Sequence, residues 1–266
     1  MSFNFKQKYG EWALVTGATS GIGEQMAEQL AADGMNVVLV ARREAELKEY
    51  ANTLAEKYGV KSDIIVADLA TQAGVDQVKA VKQDIALVAL SAGLETNGAF
   101  EKLDLDGERR LLQVNVTSTM ELSHHFSNTM VERGKGAILL VASMFGQMAS
   151  PYFSTYAGSK AFVMNFGQSL YSELKPKGID VSILSPGLTK TPMANATGVN
   201  WSKVPMAAKT PEKVAQLALE GIGRRLVTVP GIRNNIMVFM SKLTPVKMLS
   251  TTMKLMLDRA VDPKRL

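Results

Sequence analysis

Leu14-Val15-Thr16-Gly17-Ala18-Thr19-Ser20-Gly21-Ile22-Gly23 is the stretch that decides the fold. A buried, β-branched run ends at Thr16, the glycines Gly17, Gly21 and Gly23 follow, and a segment of helical period begins near Gly21. A glycine turn between a strand and a helix lets the backbone approach a ligand closely, because no Cβ stands in the way. The unpaired N–H groups at the helix start and the positive end of its dipole then suit an anion such as a pyrophosphate. Taken alone, the glycines fit an ordinary tight βα turn equally well. Their place in the first unit of a longer series gives them weight.

That series runs outward from Trp12 to Pro186, where short apolar runs alternate with stretches of helical period. The strand candidates are Ala13–Thr16, Asn36–Val40, Asp63–Ala67, Ile85–Ser91, Ala137–Ala142 and Asp180–Leu184, with Leu226–Val229 closing one edge. Alternation of this kind predicts an α/β, Rossmann-type doubly wound fold, a seven-stranded parallel sheet flanked by helices. Near-continuous apolarity predicts helices on both faces. Gly34 and Gly59 follow helical stretches as C′ residues, and Thr210-Pro211-Glu212 reads as N-cap, N1 and acidic first turn. Between Pro192 and Lys209 the period is lost and Pro, Asn, Gly and Ser gather, which predicts a mobile flap. At 266 residues and 46% apolar, the chain suits one domain over 1–266, with its core at 12–191, the flap at 192–210 and C-terminal helices plus an edge strand at 211–266.

After the second strand come Arg42 and Arg43, where an NAD-binding fold places an acid for the adenosine ribose. Two guanidiniums can fork onto a 2′-phosphate, which favours NADP; the bland alternative is that they face solvent and stack on adenine. Asp68-Leu69 ends the third strand, placed either to reach the adenine edge or to cap a helix. Tyr156 and Lys160 lie one helical turn apart. A phenol that exchanges protons near neutrality needs a close positive charge, and such a lysine supplies one. The same spacing also arises by chance, as a half-buried tyrosine beside a solvated lysine. Ser143 closes the fifth strand, so its hydroxyl emerges at the carboxyl edge of the sheet, where open α/β folds bind ligands. Asn115 lies in a helix before that strand.

Through TGATSGIG at 16–23, Asn115, Ser143, Tyr156 with Lys160, and Pro186-Gly187 followed by Thr189 and Thr191, the chain resembles the short-chain dehydrogenase/reductase family. Val227–Gly231 and the basic helices beyond are similar to its ketoacyl and hydroxysteroid reductase branch. The resemblance implies Tyr156 as general acid in reduction and base in oxidation, with Ser143 holding the substrate oxygen. It implies Lys160 lowering the tyrosine pKa and binding the nicotinamide ribose, and Asn115 anchoring a relay water. For the cofactor NADP(H), the implied contacts are Gly17, Thr19, Ser20, Gly21, Ile22, Gly23, Arg42, Arg43, Asp68, Leu69, Ser91, Ala92, Gly93, Tyr156, Lys160, Pro186, Gly187, Leu188, Thr189 and Thr191. A homodimer or homotetramer is implied as well. The family has Asn-Ala-Gly where this chain has Ser91-Ala92-Gly93; serine can still bond neighbouring backbone, with shorter reach. Gly158, inside the Tyr-x-x-x-Lys turn, weakens the helix but permits a close approach by cofactor or a neighbouring helix.

Composition bounds the rest. The absence of cysteine excludes disulfides and thiolate chemistry and suits a reducing compartment. The start, MSFNFKQKYGEW, lacks a secretory pattern, and no run approaches the roughly 18 apolar residues of a membrane span, so a soluble cytoplasmic protein is expected. The net charge of +5 is concentrated after Gly221, where nine Lys or Arg face two Asp. A solvated basic surface is the simpler reading, peripheral contact with an anionic membrane the sharper one; nucleic acid is not expected as a partner. His124 and His125 are adjacent and cannot share a helix face, so no metal site is expected. The methionines gathered after Met193 serve as packing surface or as an adaptable wall for a flexible apolar substrate. The functions in contention are an NADP(H)-dependent reductase of lipid-like or other apolar ketones and a non-catalytic NADP(H)-sensing protein on the same scaffold.

Overall fold

The structure is a computed structural model and describes residues 3–204 and 206–266. Met1 and Ser2 of the N-terminal stretch and Pro205 of the expected flap lie outside the described residues.

In chain order the main elements are α1 (Phe5–Lys8), β1 (Trp12–Thr16), α2 (Gly21–Ala32), β2 (Asn36–Ala41), α3 (Glu44–Tyr58), β3 (Ser62–Val66), α4 (Gln72–Lys79) and β4 (Ile85–Leu90). There follow α5 (Leu105–Leu112), a π-turn (Gln113–Ser118), α6 (Thr119–Arg133), β5 (Gly136–Val141), α7 (Ser154–Leu174) and β6 (Ile179–Leu184). The chain ends with α8 (Pro192–Ala196), α9 (Pro211–Gly221), β7 (Val227–Thr228), α10 (Ile232–Leu243) and α11 (Val246–Leu257). The sheet is parallel, seven-stranded and ordered β3-β2-β1-β4-β5-β6-β7. Its order reverses between β1 and β4, so a crevice opens there beyond the carboxyl ends of the strands.

Burial follows the predicted two-sided covering in β4, β5 and β6, every residue of which is buried. β3 departs from it. At the sheet edge it is only partly buried and begins one residue before the expected start, at Ser62. An edge strand has one neighbour and no full helix layer above it, so the apolar run there overstates its burial. Gly34 and Gly59 have φ of 86° and 68° after their helices, as their C′ reading requires. The Thr210 hydroxyl accepts a hydrogen bond from the Lys213 N–H at the start of α9.

The N-terminal segment is tied to β6 through Asp180, which is buried. Its carboxylate accepts hydrogen bonds from Tyr9 Oη (2.6 Å), Lys8 Nζ (2.8 Å) and Lys175 Nζ (2.5 Å). Burial pushes the carboxyl upward, but those donors outweigh it and hold its pKa at about 2.

The described residues of 192–210 hold short elements that the sequence did not suggest. The segment holds α8 and a 3₁₀ turn at Trp201–Lys203, Val199 and Val204 are buried, and a parallel bridge from Thr189 to Lys209 closes its base. The Trp201 ring lies 6.4 Å from Phe145 and 6.1 Å from Phe153, and its Nε1 donates to Ala194 O at 3.2 Å. Apolar residues spaced irregularly have packed onto the sheet end instead of forming a periodic element. Nor is the basic tail wholly solvated: Arg265 Nη1 donates to Asn97 Oδ1 (3.0 Å) and Thr197 O (2.6 Å), joining the loop after β4 to the end of α8. The late methionines divide, Met253 being buried and Met240 and Met248 exposed.

Candidate active site

Three adjoining cavities form one cleft along the carboxyl ends of β1, β2, β4, β5 and β6. The first is lined by Arg42, Arg43, Thr19, Ser20, Asp68 and Leu69; the second by Gly21, Gly23, Ser91, Ala92, Gly93 and Lys160; the third, of about 590 Å³, by Ser143, Tyr156, Phe145, Leu188, Met193 and Trp201. Gly17 and Ser20 are shared by the first two, and Tyr156, Pro186 and Thr191 by the last two.

In the first two cavities the glycines are required by contact as much as by conformation. Gly17 has φ 70°, and a Cβ there would lie 3.0 Å from Ala92 Cα. A Cβ on Gly23 would stand 2.4 Å from the Gly17 carbonyl oxygen, which backbone cannot relieve by a side-chain shift. Ser20 is the N-cap of α2 and its side chain makes no capping bond, leaving the first N–H groups of the helix to face the cleft. A loop with bare backbone donors at the start of a twelve-residue helix fits a dinucleotide pyrophosphate.

The two arginines are not equivalent. Arg43 Nη2 donates to Thr19 Oγ1 (3.0 Å) and its Nη1 pairs with Glu46 (2.8 Å), so it fastens the glycine loop, while Arg42 stands in the cavity wall. Asp68 is largely committed: burial raises its carboxyl, but the Ala70 N–H at 3.0 Å, Arg110 at 3.0 Å and the charge of Arg42 outweigh burial and lower it. Thr71, not Asp68, caps α4.

Ser91 does not replace the family's asparagine through its own hydroxyl. The Thr16 Oγ1 accepts from both the Ser91 and Ala92 N–H groups at 3.0 Å, so the bond crosses from β1. The sequence reading missed Thr16, although its place before Gly17 at the end of β1 was the available signal. Gly158 was also read differently: a Cβ there meets nothing within 4 Å, and the close approaches of α7 fall instead at Gly167, against Ile183 and Leu140.

Where the second and third cavities meet, α7 presents Tyr156 and Lys160, and Ser143 lies at the end of β5. Ser143 Oγ accepts from the Phe145 N–H at 3.2 Å and faces the Tyr156 phenol. Asn115 sits in the π-turn, a helix irregularity often found at functional sites. Its Oδ1 accepts from the Leu94 N–H (2.8 Å), and its Nδ2 donates to Leu94 O (2.9 Å) and Ser159 Oγ (3.0 Å). Its amide thus clamps the loop after β4 to α7.

Lys160 stands one helical turn from Tyr156, as its spacing predicts. Its Nζ donates to Val141 O at 2.8 Å and stands 5.8 Å from the centre of the Tyr156 ring. Burial pulls this ammonium down to about 8, with the charge of Glu95 opposing. Tyr156 is held well above the ordinary phenol value by burial and then by Glu95; the Ser143 hydroxyl pulls the other way. Burial is the largest of these effects, and it favours the protonated phenol. Glu95 itself is pushed up to about 7 by burial, with Lys160 opposing. Sequence reading missed Glu95, Met144, Phe145 and Ala194, which carry no motif and meet only in the folded chain.

A family model described as short chain dehydrogenase matches residues 11–200. The chain belongs to this family. It is 33% identical to the 7β-hydroxysteroid dehydrogenase of Collinsella aerofaciens, over 87% of this chain and 90% of that one. It is also 33% identical to the very-long-chain 3-oxoacyl-CoA reductase of Bos taurus, over 80% of this chain and 69% of the relative. A solved short-chain dehydrogenase from Sphingobium yanoikuyae in complex with NADPH superposes with a TM-score of 0.79 at 31% identity, covering 87% of this chain and 94% of that one. As a short-chain dehydrogenase the protein is an oxidoreductase that uses a nicotinamide cofactor on alcohol or ketone groups.

Proposed function

We propose that this short-chain dehydrogenase is an NADP(H)-dependent reductase of apolar ketones. The observation that carries the reading is the protonated, Ser143-facing Tyr156 at the junction of a glycine-lined cavity and an apolar one. A nicotinamide cofactor supplies the hydride when bound. The first two cavities fit it: Gly17, Gly21 and Gly23 clear the pyrophosphate path, and Ser91, Ala92, Gly93 and Lys160 line the way to Tyr156. Arg42, with Arg43 behind it on Thr19, favours an adenosine 2′-phosphate. The NADPH complex of a relative with the same fold supports that preference.

On the substrate side, Ser143 Oγ and Tyr156 Oη form a hydroxyl pair for the carbonyl oxygen. As charge develops on that oxygen, Tyr156 gives up its proton and Ser143 donates a hydrogen bond. A phenol raised by burial is a poor proton donor to water but holds its proton until a strong base forms beside it, which suits reduction. Lys160 carries its charge below pH of about 8 and can stabilise the phenolate left behind. Pro186, Gly187, Leu188, Thr189 and Thr191 form the far wall, with Thr191 packed so closely that a Cβ on Gly21 would meet its Cγ2 at 2.9 Å. Met144, Phe145, Leu188, Met193, Trp201 and Met206 exclude water and suit an apolar ketone. Two relatives are named for a hydroxysteroid and a very-long-chain 3-oxoacyl group, which carry apolar bodies of that kind.

Steady-state turnover of a panel of aliphatic, aromatic and sterol ketones with NADPH and with NADH tests this. Reduction of apolar ketones with an NADPH preference of tenfold or more is expected. A preference for NADH, or turnover confined to sugars, contradicts it.

A further inference from the structure

Glu95 is the single charged side chain among the described residues lining the apolar cavity. It lies on the loop after β4, and this loop is held on both sides. Asn115 clamps Leu94 to α7, and Arg265 ties Asn97 to Thr197. The carboxyl is therefore placed by bonds on either flank and is not a mobile surface acid.

The protein walls of the cavity leave it without a hydrogen-bond donor. No described residue donates a hydrogen bond to its oxygens, and the wall around it is Met144, Phe145, Trp201 and similar side chains. A carboxylate enclosed by apolar groups is costly unless donors reach it. The charged and titratable groups it faces are Lys160 and Tyr156, both on α7. Lys160 donates one hydrogen bond to Val141 O, Tyr156 faces Ser143, and neither is hydrogen-bonded to Glu95. A ligand that displaces water from this cavity would have to bring a donor for Glu95.

We propose that Glu95 is a substrate-recognition residue that accepts a hydrogen bond from a hydroxyl carried close to the reacting carbonyl, so that the preferred substrates are hydroxylated apolar ketones. This rests on the reading that the cavity receives the carbonyl compound. Glu95 and Tyr156 line the same cavity and the charge of one is felt at the other, so the hydroxyl it reads is carried near the carbonyl that Tyr156 meets. A hydroxyl is favoured over an ammonium because Lys160 already places a positive charge beside Glu95, and a second cation would be repelled in an apolar wall.

The test uses NADP⁺-loaded protein and four compounds on one carbon skeleton: a ketone and its α-hydroxy, α-methoxy and α-amino derivatives. Dissociation constants are read from tryptophan fluorescence, Trp201 lying in the wall. The hydroxyketone should bind about tenfold or more tightly than the methoxyketone and the parent ketone, as a charge-assisted hydrogen bond warrants. Glu95→Leu should abolish that ratio, and Glu95→Gln, which keeps an acceptor without the charge, should leave a smaller one. Equal binding of hydroxy and methoxy compounds by the unaltered protein overturns the proposal without needing any variant. So does an undiminished ratio in folded Glu95→Leu, or tightest binding of the aminoketone. Turnover with NADPH is recorded in parallel: its absence for all four compounds would sink the reductase reading, while the binding ratios still decide the role of Glu95.

Discussion

The two ends of the cleft are built on opposite principles. At the nucleotide end the wall is backbone: Gly17, Gly21 and Gly23 remove side chains, Thr16 Oγ1 holds two N–H groups in place, and charge comes from Arg42 and Arg43. At the substrate end the wall is side chain: Met144, Phe145, Leu188 and Trp201 fill the space and Glu95 interrupts it. A ligand common to a whole family can be met by invariant backbone geometry. A ligand that distinguishes one member must be met by side chains, which change without disturbing the fold.

If the ends are separable, alterations at one should leave the other intact. The largest separable effect is expected from Arg42→Ala/Arg43→Ala, which removes both guanidiniums from the nucleotide end. KM for NADPH should rise roughly 30-fold, as the loss of one charge-assisted bond worth about 2 kcal/mol requires, while KM for NADH and the affinity for ketone stay within about twofold. Equal losses with both cofactors would assign the arginines to structure. Because Arg43 also fastens Thr19, Arg42→Ala alone sharpens the comparison and should carry most of the discrimination.

A smaller effect, distant from both ends, is expected at Asp180. Its pKa of about 2 lies below that of an unfolded aspartate, about 3.9, so its stabilisation is present above pH of about 4 and lost as pH falls toward 2. Asp180→Asn should cost roughly 2 kcal/mol at neutral pH, lowering Tm by about 5 °C, with the gap narrowing as melts are repeated toward pH 3. Ketone turnover at 25 °C should be unchanged. A gap that persists undiminished at pH 3 would show that packing, not charge, is what Asp180 contributes.

The nucleotide end was legible in the sequence because its signals are local. The glycine turn, the arginines after β2 and the Tyr156–Lys160 spacing are each contained within a few residues. The strands were legible too, since buried parallel strands are continuous apolar runs, and β3 misled only because an edge strand keeps the same composition with less cover. The substrate end was legible only in part: the apolar flap residues Met193, Trp201 and Met206 line the cavity as their composition suggests, but Glu95 and Met144 come from separate loops, and nothing in their neighbours marks them as part of that wall. Lys160 shows a different limit: helical spacing placed it beside Tyr156 correctly, but the direction of the phenol's shift depends on burial and on Glu95, which spacing does not contain.

The central claim is that the Tyr156 hydroxyl delivers the proton as the carbonyl is reduced. Single-turnover oxidation of bound NADPH by an apolar ketone, followed at 340 nm or its fluorescence equivalent in Tyr156→Phe, tests it directly. Circular dichroism and cofactor titration establish that the variant is folded and loaded. A rate lowered by roughly 10²–10⁴-fold with NADPH affinity retained is predicted. A folded, NADPH-loaded variant that reduces the ketone at the original rate would contradict the account.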